Sequence, residues 1–126
     1  MSEQVEDVVN YPKHYTSFTL AAEPILICEH LSFCLGNAVK YILRAGLKGS
    51  PEKELEDYKK AEYYIARETA HVVSHEAKFA FDILKDAFPE DKRTIVEQLL
   101  SNQVTEAFIK VRAKIEELEN KFNESK

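Results

Sequence analysis

Turn-forming residues are scarce in this chain: three glycines and four prolines among 126 residues. A many-stranded sheet needs a turn every few residues, so the shortage argues for long helices instead. The common signatures of enzyme chemistry are missing as well. There is no GxxxxGK[ST] phosphate loop, no GxGxxG, no nucleophile elbow and no HExxH. Cys28 and Cys34 stand six apart with no CxxC, so they read as reduced thiols and not as a disulfide framework or a zinc ribbon. No apolar run reaches the length of a membrane span. The start, MSEQVEDVVNYPKHY, is acidic and polar, unlike a signal peptide. The expectation is a cytoplasmic protein with no membrane partner. The formal charge of -5 argues against a general nucleic-acid binder, whose affinity rests on a net basic surface.

The acidity is uneven. Residues 68 to 126 carry 12 acidic and 9 basic side chains, whereas residues 36 to 67 carry 5 acidic and 7 basic. An anion site therefore belongs to the first half. Its centre is GNAVKYILRAGLK, residues 36 to 48, which contains no acid and spaces Lys40, Arg44 and Lys48 by four. On a helix that spacing stacks side chains on one face, with Asn37 a turn ahead of Lys40. Such a row holds a polyanion, phosphate above all, or forms a solvated basic face.

The elements follow from caps and periodicity. Residues 1 to 8 read as a flexible leader, and Pro12 keeps Tyr11 extended. Pro24 suits the first position of a short helix through ILICEHL. Ser32 can cap a helix from Phe33 to about Lys48, with Leu35, Val39, Ile42 and Leu43 on its apolar face. Gly36 inside it weakens the helix and is useful only where a backbone or a ligand comes close. Gly49-Ser50-Pro51-Glu52 is a stop, a cap, a first-turn proline and a first-turn acid. The next helix is expected from Pro51 to about Phe88, with Leu55, Tyr58, Ile65, Val72, Phe79 and Ile83 buried and Pro89 ending it. A shorter helix covers about Lys92 to Leu100. In the last, Val104, Phe108, Val111, Ile115, Leu118 and Phe122 alternate spacings of four and three. That is a heptad seam, open to pairing between chains or to an ordinary core. The fold reads as all-α: a helical hairpin core and a long C-terminal helix available for homo-oligomer formation through helical packing.

Other constellations are weaker. His71 and His75 have zinc-compatible spacing without further ligands. Cys28, His30 and Cys34 converge on a metal or are buried thiols. Glu54 and Asp57 form an ExxD, the kind that holds magnesium in all-α nucleotide pyrophosphohydrolases, but no second acidic pair lies upstream. EDYKKAEYYIAR adds Lys59, Lys60, Tyr63, Tyr64 and Arg67. If the two helices fold back at Gly49, cations from both, with rings between them, clamp phosphates and stack a base.

VNYPKHY, an EPI helix, FCLGNAVKYILRAGLKG and EDYKKAEYYIAR together resemble a small phage family. It is the SaV-like family, a catalogued domain of unknown function often described as a nucleotide kinase. The matching positions are Pro12, His14, Tyr15, Gly36, Asn37, Lys40, Tyr41, Arg44, Lys48, Asp57, Lys60, Ala61 and Tyr64. Tyr58 replaces the usual leucine, and Tyr63 stands where tryptophan is common. The likeness divides the chain into a 9 to 67 core holding the site and a 68 to 126 helical extension. It implies a phage origin, host cytoplasm and a role near nucleotide metabolism.

The expected activity is a nucleoside monophosphate kinase without a P-loop, with a nucleoside triphosphate donor and magnesium as a candidate cofactor. Lys40, Arg44 and Lys60 would carry the catalysis. His14, Tyr15, Gly36, Asn37, Lys48, Tyr64 and Arg67 would bind nucleotide and phosphate. Asp57 would orient a cation or hold the metal. The alternatives are a phage protein that binds or sequesters a nucleotide without turnover, the pyrophosphohydrolase, and an assembly protein built on the C-terminal seam.

Overall fold

The computed structural model describes residues 23–47, 49–68 and 73–124. Six α-helices and no strand occur among them: α1 (Ile25–Cys28), α2 (Phe33–Arg44), α3 (Pro51–Arg67), α4 (His75–Leu84), α5 (Glu90–Leu100) and α6 (Val104–Glu124). The all-α expectation is met. The leader, His14, Tyr15, Lys48 and His71 lie outside the described residues.

The caps fall where the side chains predict them. Ser32 Oγ accepts from Leu35 N at 3.2 Å and Ser50 Oγ accepts from Lys53 N at 3.2 Å. Each satisfies an amide that the first turn leaves without a partner. Pro51 opens α3, with Glu52 and Glu54 in its first turn. The end of α2 comes earlier than expected, at Arg44. Gly46 takes φ +82° and reverses the chain there, and Gly49 repeats that value before α3. The two glycines divide the work of the turn, so the helix ends at Arg44.

The long helix expected from Pro51 to Phe88 is two helices. α3 stops at Arg67, and Glu68 is extended and buried, with its carboxylate accepting from Ser32 Oγ at 2.9 Å. Ser74 begins α4: its Oγ accepts from Ala77 N at 3.2 Å and donates to His30 O at 2.9 Å. The interruption resets the helical phase. Ala77, Phe81 and Leu84 are buried, while Phe79 and Ile83, expected inside, are 69% and 60% exposed. A 3-10 turn, Lys85–Ala87, leads to buried Phe88 and Pro89, and α5 starts at Glu90, two residues before the expected Lys92.

α2 and α3 pack as the expected hairpin, α6 lies against α3 and α5, and α1 rests on α2 and α4. The heptad seam of α6 is spent inside the chain: Val111, Ile115 and Leu118 join the core built by Leu35, Val39, Ile42, Tyr58 and Ile65. Val104 and Phe108, at the start of the same seam, are partly buried against that core. No helix among the described residues is long and apolar enough to cross a membrane.

Candidate functional site

The outer face of the α2–α3 hairpin gathers most of the expected site around one ring. Tyr41 is half-buried on α2, and its neighbours in sequence and across the hairpin are cations. Lys40 Nζ lies 4.4 Å from the ring centroid, Lys60 Nζ 5.3 Å and the Arg44 guanidinium carbon 5.4 Å. Tyr64 of α3 stacks on Tyr41 with centroids 6.1 Å apart and planes 7° from parallel. The ring quadrupole attracts each cation, which is why three can crowd one tyrosine.

Carboxylates hold two of the three in place. Asp57 is 1% exposed, and its Oδ1 lies 3.6 Å from Arg44 Nη2 and 3.9 Å from Lys53 Nζ, with no hydrogen-bond donor of its own. Of its expected roles, orienting a cation matches this geometry, and the cation is Arg44. Lys60 pairs instead with Glu56, 3.5 Å away, and Lys53 also reaches Glu56 at 2.8 Å. Both lysines hold Glu56 below the ordinary carboxylate range, the Lys53 hydrogen bond most of all. Among the described residues Lys40 has no carboxylate within ion-pair distance. With Lys53 counted, four cations face two carboxylates, so among the described residues the cluster is net positive.

Other expected residues fall elsewhere. Arg67 reaches the Tyr63 ring, 5.7 Å away, and not Tyr41. Gly36 is buried: a Cβ there would stand 3.1 Å from the Cys28 carbonyl oxygen and 3.7 Å from Leu31 Cβ. The close approach that it permits is by the backbone of α1. Asn37 Nδ2 donates to Phe33 O at 2.8 Å, back along its own helix. The ExxD pair diverges, since the Glu54 carboxylate covers Gly46, within 3.2 Å of where a Cβ would be, while Asp57 faces Arg44. Among the described residues no three His, Cys, Asp or Glu side chains converge as a metal set. Cys28 is a thiol pushed up to about 12 by burial, with Lys40 pulling weakly the other way.

Lys92 was not legible as a site-supporting residue. It opens α5 as one charge in EDKRTIVEQLL, yet it is 6% exposed and anchors the turn after α2. Its Nζ donates to Ile42 O at 2.9 Å and to Ala45 O, and sits 5.4 Å from the Tyr58 centroid. It thus satisfies carbonyls at the C-terminal end of α2, next to Arg44, and its positive charge suits that end of the helix dipole. Burial pulls its pKa down to about 8, against the nearby Asp91 and Glu54 carboxylates, which pull it up. A lysine turned inward leaves no signature that spacing can show. Phe33, expected only as the start of a helix, extends the aromatic surface to which Tyr63 belongs.

Residues 9–66 match a family described as a protein of unknown function (DUF3310). The match ends one residue before the last of α3, so it takes in α1, α2, the turn and nearly all of α3. No curated protein and no solved structure matches the chain.

Proposed function

We propose that the α2–α3 face binds a nucleotide, with its phosphates on Lys40, Arg44 and Lys60 and its base against the Tyr41–Tyr64 stack. One observation carries this reading: three cationic groups lie within 5.4 Å of a single tyrosine ring. Guanidinium and ammonium donors bind phosphate through charge-assisted hydrogen bonds, and a tyrosine face accepts any base. Asp57, buried and with its Oδ1 lacking a hydrogen-bond donor, fixes the Arg44 fork ahead of the ligand. Fixing a donor in advance lowers the ordering cost of binding.

The reaction in this proposal is phosphoryl transfer from a nucleoside triphosphate to a deoxynucleoside monophosphate. That chemistry asks for alignment and charge neutralisation more than for a covalent catalyst, and a cation cluster supplies both. Magnesium would arrive with the triphosphate, since Asp57 is directed at cations. The phage resemblance gives the setting, nucleotide metabolism in a host cytoplasm. Binding without turnover is the second reading, supported by the way Asp57 and Glu56 are both engaged with cations. The diverging Glu54 and Asp57 speak against a pyrophosphohydrolase.

A coupled assay decides between the first two. Purified chain is mixed with ATP, magnesium and each deoxynucleoside monophosphate in turn, and diphosphate formation is followed. Turnover lost in Arg44→Ala establishes the kinase. Saturable binding of a nucleotide recovered intact establishes the holding protein. A chain that shows no turnover and binds no nucleotide refutes the proposal.

A further inference from the structure

The Tyr41 cluster uses one end of the hairpin face. Phe33, Tyr63 and Arg67 remain, and none is needed to hold one nucleotide. Phe33 is 74% exposed and Tyr63 is 56% exposed. Single exposed rings are ordinary, but these two meet through a third. Phe33 contacts Tyr64 edge-on at 5.9 Å and 75°, and Tyr63 contacts it at 5.3 Å and 82°. With the Tyr41–Tyr64 stack, four rings form one connected surface. Cations stand at both ends, the Arg44 cluster at one and Arg67, 5.7 Å from the Tyr63 ring, at the other.

The strip is longer than one nucleotide requires. From Phe33 to Arg44 it follows all of α2, about 16 Å at 1.5 Å per residue. A stacked strand carries one phosphate per about 3.4 Å. Among the described residues Arg67, like Lys40, has no carboxylate partner within ion-pair distance, so both ends offer a charge that is not neutralised. Rings in series flanked by cations are how sequence-tolerant single-strand binders work.

We infer that this face takes a short single-stranded oligonucleotide of two or more units, the first held at Tyr41 and the next stacked on Tyr63 beside Arg67. The inference rests on the nucleotide reading above and specifies its ligand. It is compatible with the formal charge of -5, because contact is local to one hairpin face. Duplexes are not candidates, since their bases are not free to stack on side chains.

The test is calorimetric titration of the full chain with dTMP and dAMP, with the dinucleotides pdTpdT and pdApdA, with the dT hexamer, and with the ribonucleotide counterparts. A second stacked base is worth a further gain of about tenfold in affinity over the mononucleotide. Either sugar giving that gain supports the inference. The doubly substituted Tyr63→Ala, Arg67→Ala chain should lose the gain and keep the mononucleotide affinity. The inference is overturned, with the nucleotide reading intact, if mononucleotides bind and the longer ligands bind no tighter. It is also overturned if the double substitution weakens mononucleotide and dinucleotide equally. Absence of binding by every ligand removes both.

Discussion

Lys92→Met is the most informative single change, because it removes both a buried pair of hydrogen bonds and a pH signature. At pH 7 Lys92 is protonated in the folded and unfolded chain, since its pKa falls only from 10.5 to about 8 on folding. Removing its amine leaves the Ile42 and Ala45 carbonyls without their donor. Buried unsatisfied carbonyls cost about 1–3 kcal/mol, and methionine conserves the stem volume. The signature appears at higher pH. Between about 8 and 10.5 the unfolded chain holds a proton that the folded chain has released. Stability therefore rises with pH in that window, by about 1.4 kcal/mol per unit once pH clears the folded pKa. Cys28 opposes it from about pH 8, because the unfolded thiol, with its pKa of 9.0, begins to ionise there while the folded thiol is raised to about 12 and its stabilising contribution is lost as pH rises. Tyr58, also raised by burial, opposes it from about pH 10. The Lys92 rise therefore outweighs the opposing groups only between about pH 8 and 9. Urea unfolding followed by far-ultraviolet circular dichroism should show native stability increasing by about 0.6 kcal/mol across that unit, and then levelling. Lys92→Met should be less stable at pH 7 and should show no rise, only a small fall, from 8 to 9. A wild-type chain with no rise, or a variant that keeps it, refutes the assignment of Lys92 as the buried anchor.

Three further outcomes follow from packing and charge. Gly36→Ala gains up to about 1 kcal/mol in helix propensity but sets a Cβ 3.1 Å from the Cys28 carbonyl oxygen, so it should destabilise by about 1 kcal/mol net in the same urea experiment. Val111→Asp buries an unpaired charge at a fully buried position and should cost more than about 4 kcal/mol, seen as loss of the cooperative thermal transition and not as a change in subunit number. Asp57→Asn removes the anion that steadies Arg44 while keeping its shape, and should weaken nucleotide affinity about tenfold with the helical content unchanged.

The sequence exposed what is local. Ser32, Ser50 and Pro51 each state a helix boundary within a few residues, and the structure puts those boundaries there. The Lys40–Arg44 spacing placed both cations on one face, and the turn brought Lys60 and Tyr64 beside them. Phase across a break was not legible. Leu55, Tyr58, Ile65, Val72, Phe79 and Ile83 continue one helical stripe on paper, yet burial of Glu68 and the Ser74 cap interrupt it, so Phe79 and Ile83 emerge on the surface. A Ser followed by an acid two residues later was the available clue to that second start. The α6 seam shows the same limit in another form. Heptad spacing identifies an apolar stripe but does not say whether its partner is α3 of the same chain or another copy. Charges that turn inward, Asp57 and Lys92, are decided by tertiary packing, and nothing in their neighbourhoods distinguishes them from solvated helix residues.

The central claim is that phosphate is held by the cations around Tyr41. Isothermal titration of the wild-type chain and of Arg44→Ala with dTMP and ATP, at low and at physiological salt, tests it most directly. The account predicts saturable binding by the wild type that weakens with salt, and a loss of tenfold or more in Arg44→Ala, as removal of a charge-assisted contact worth about 1.5–3 kcal/mol requires. Equal affinities in the two proteins, or no heat of binding with either nucleotide, would contradict it.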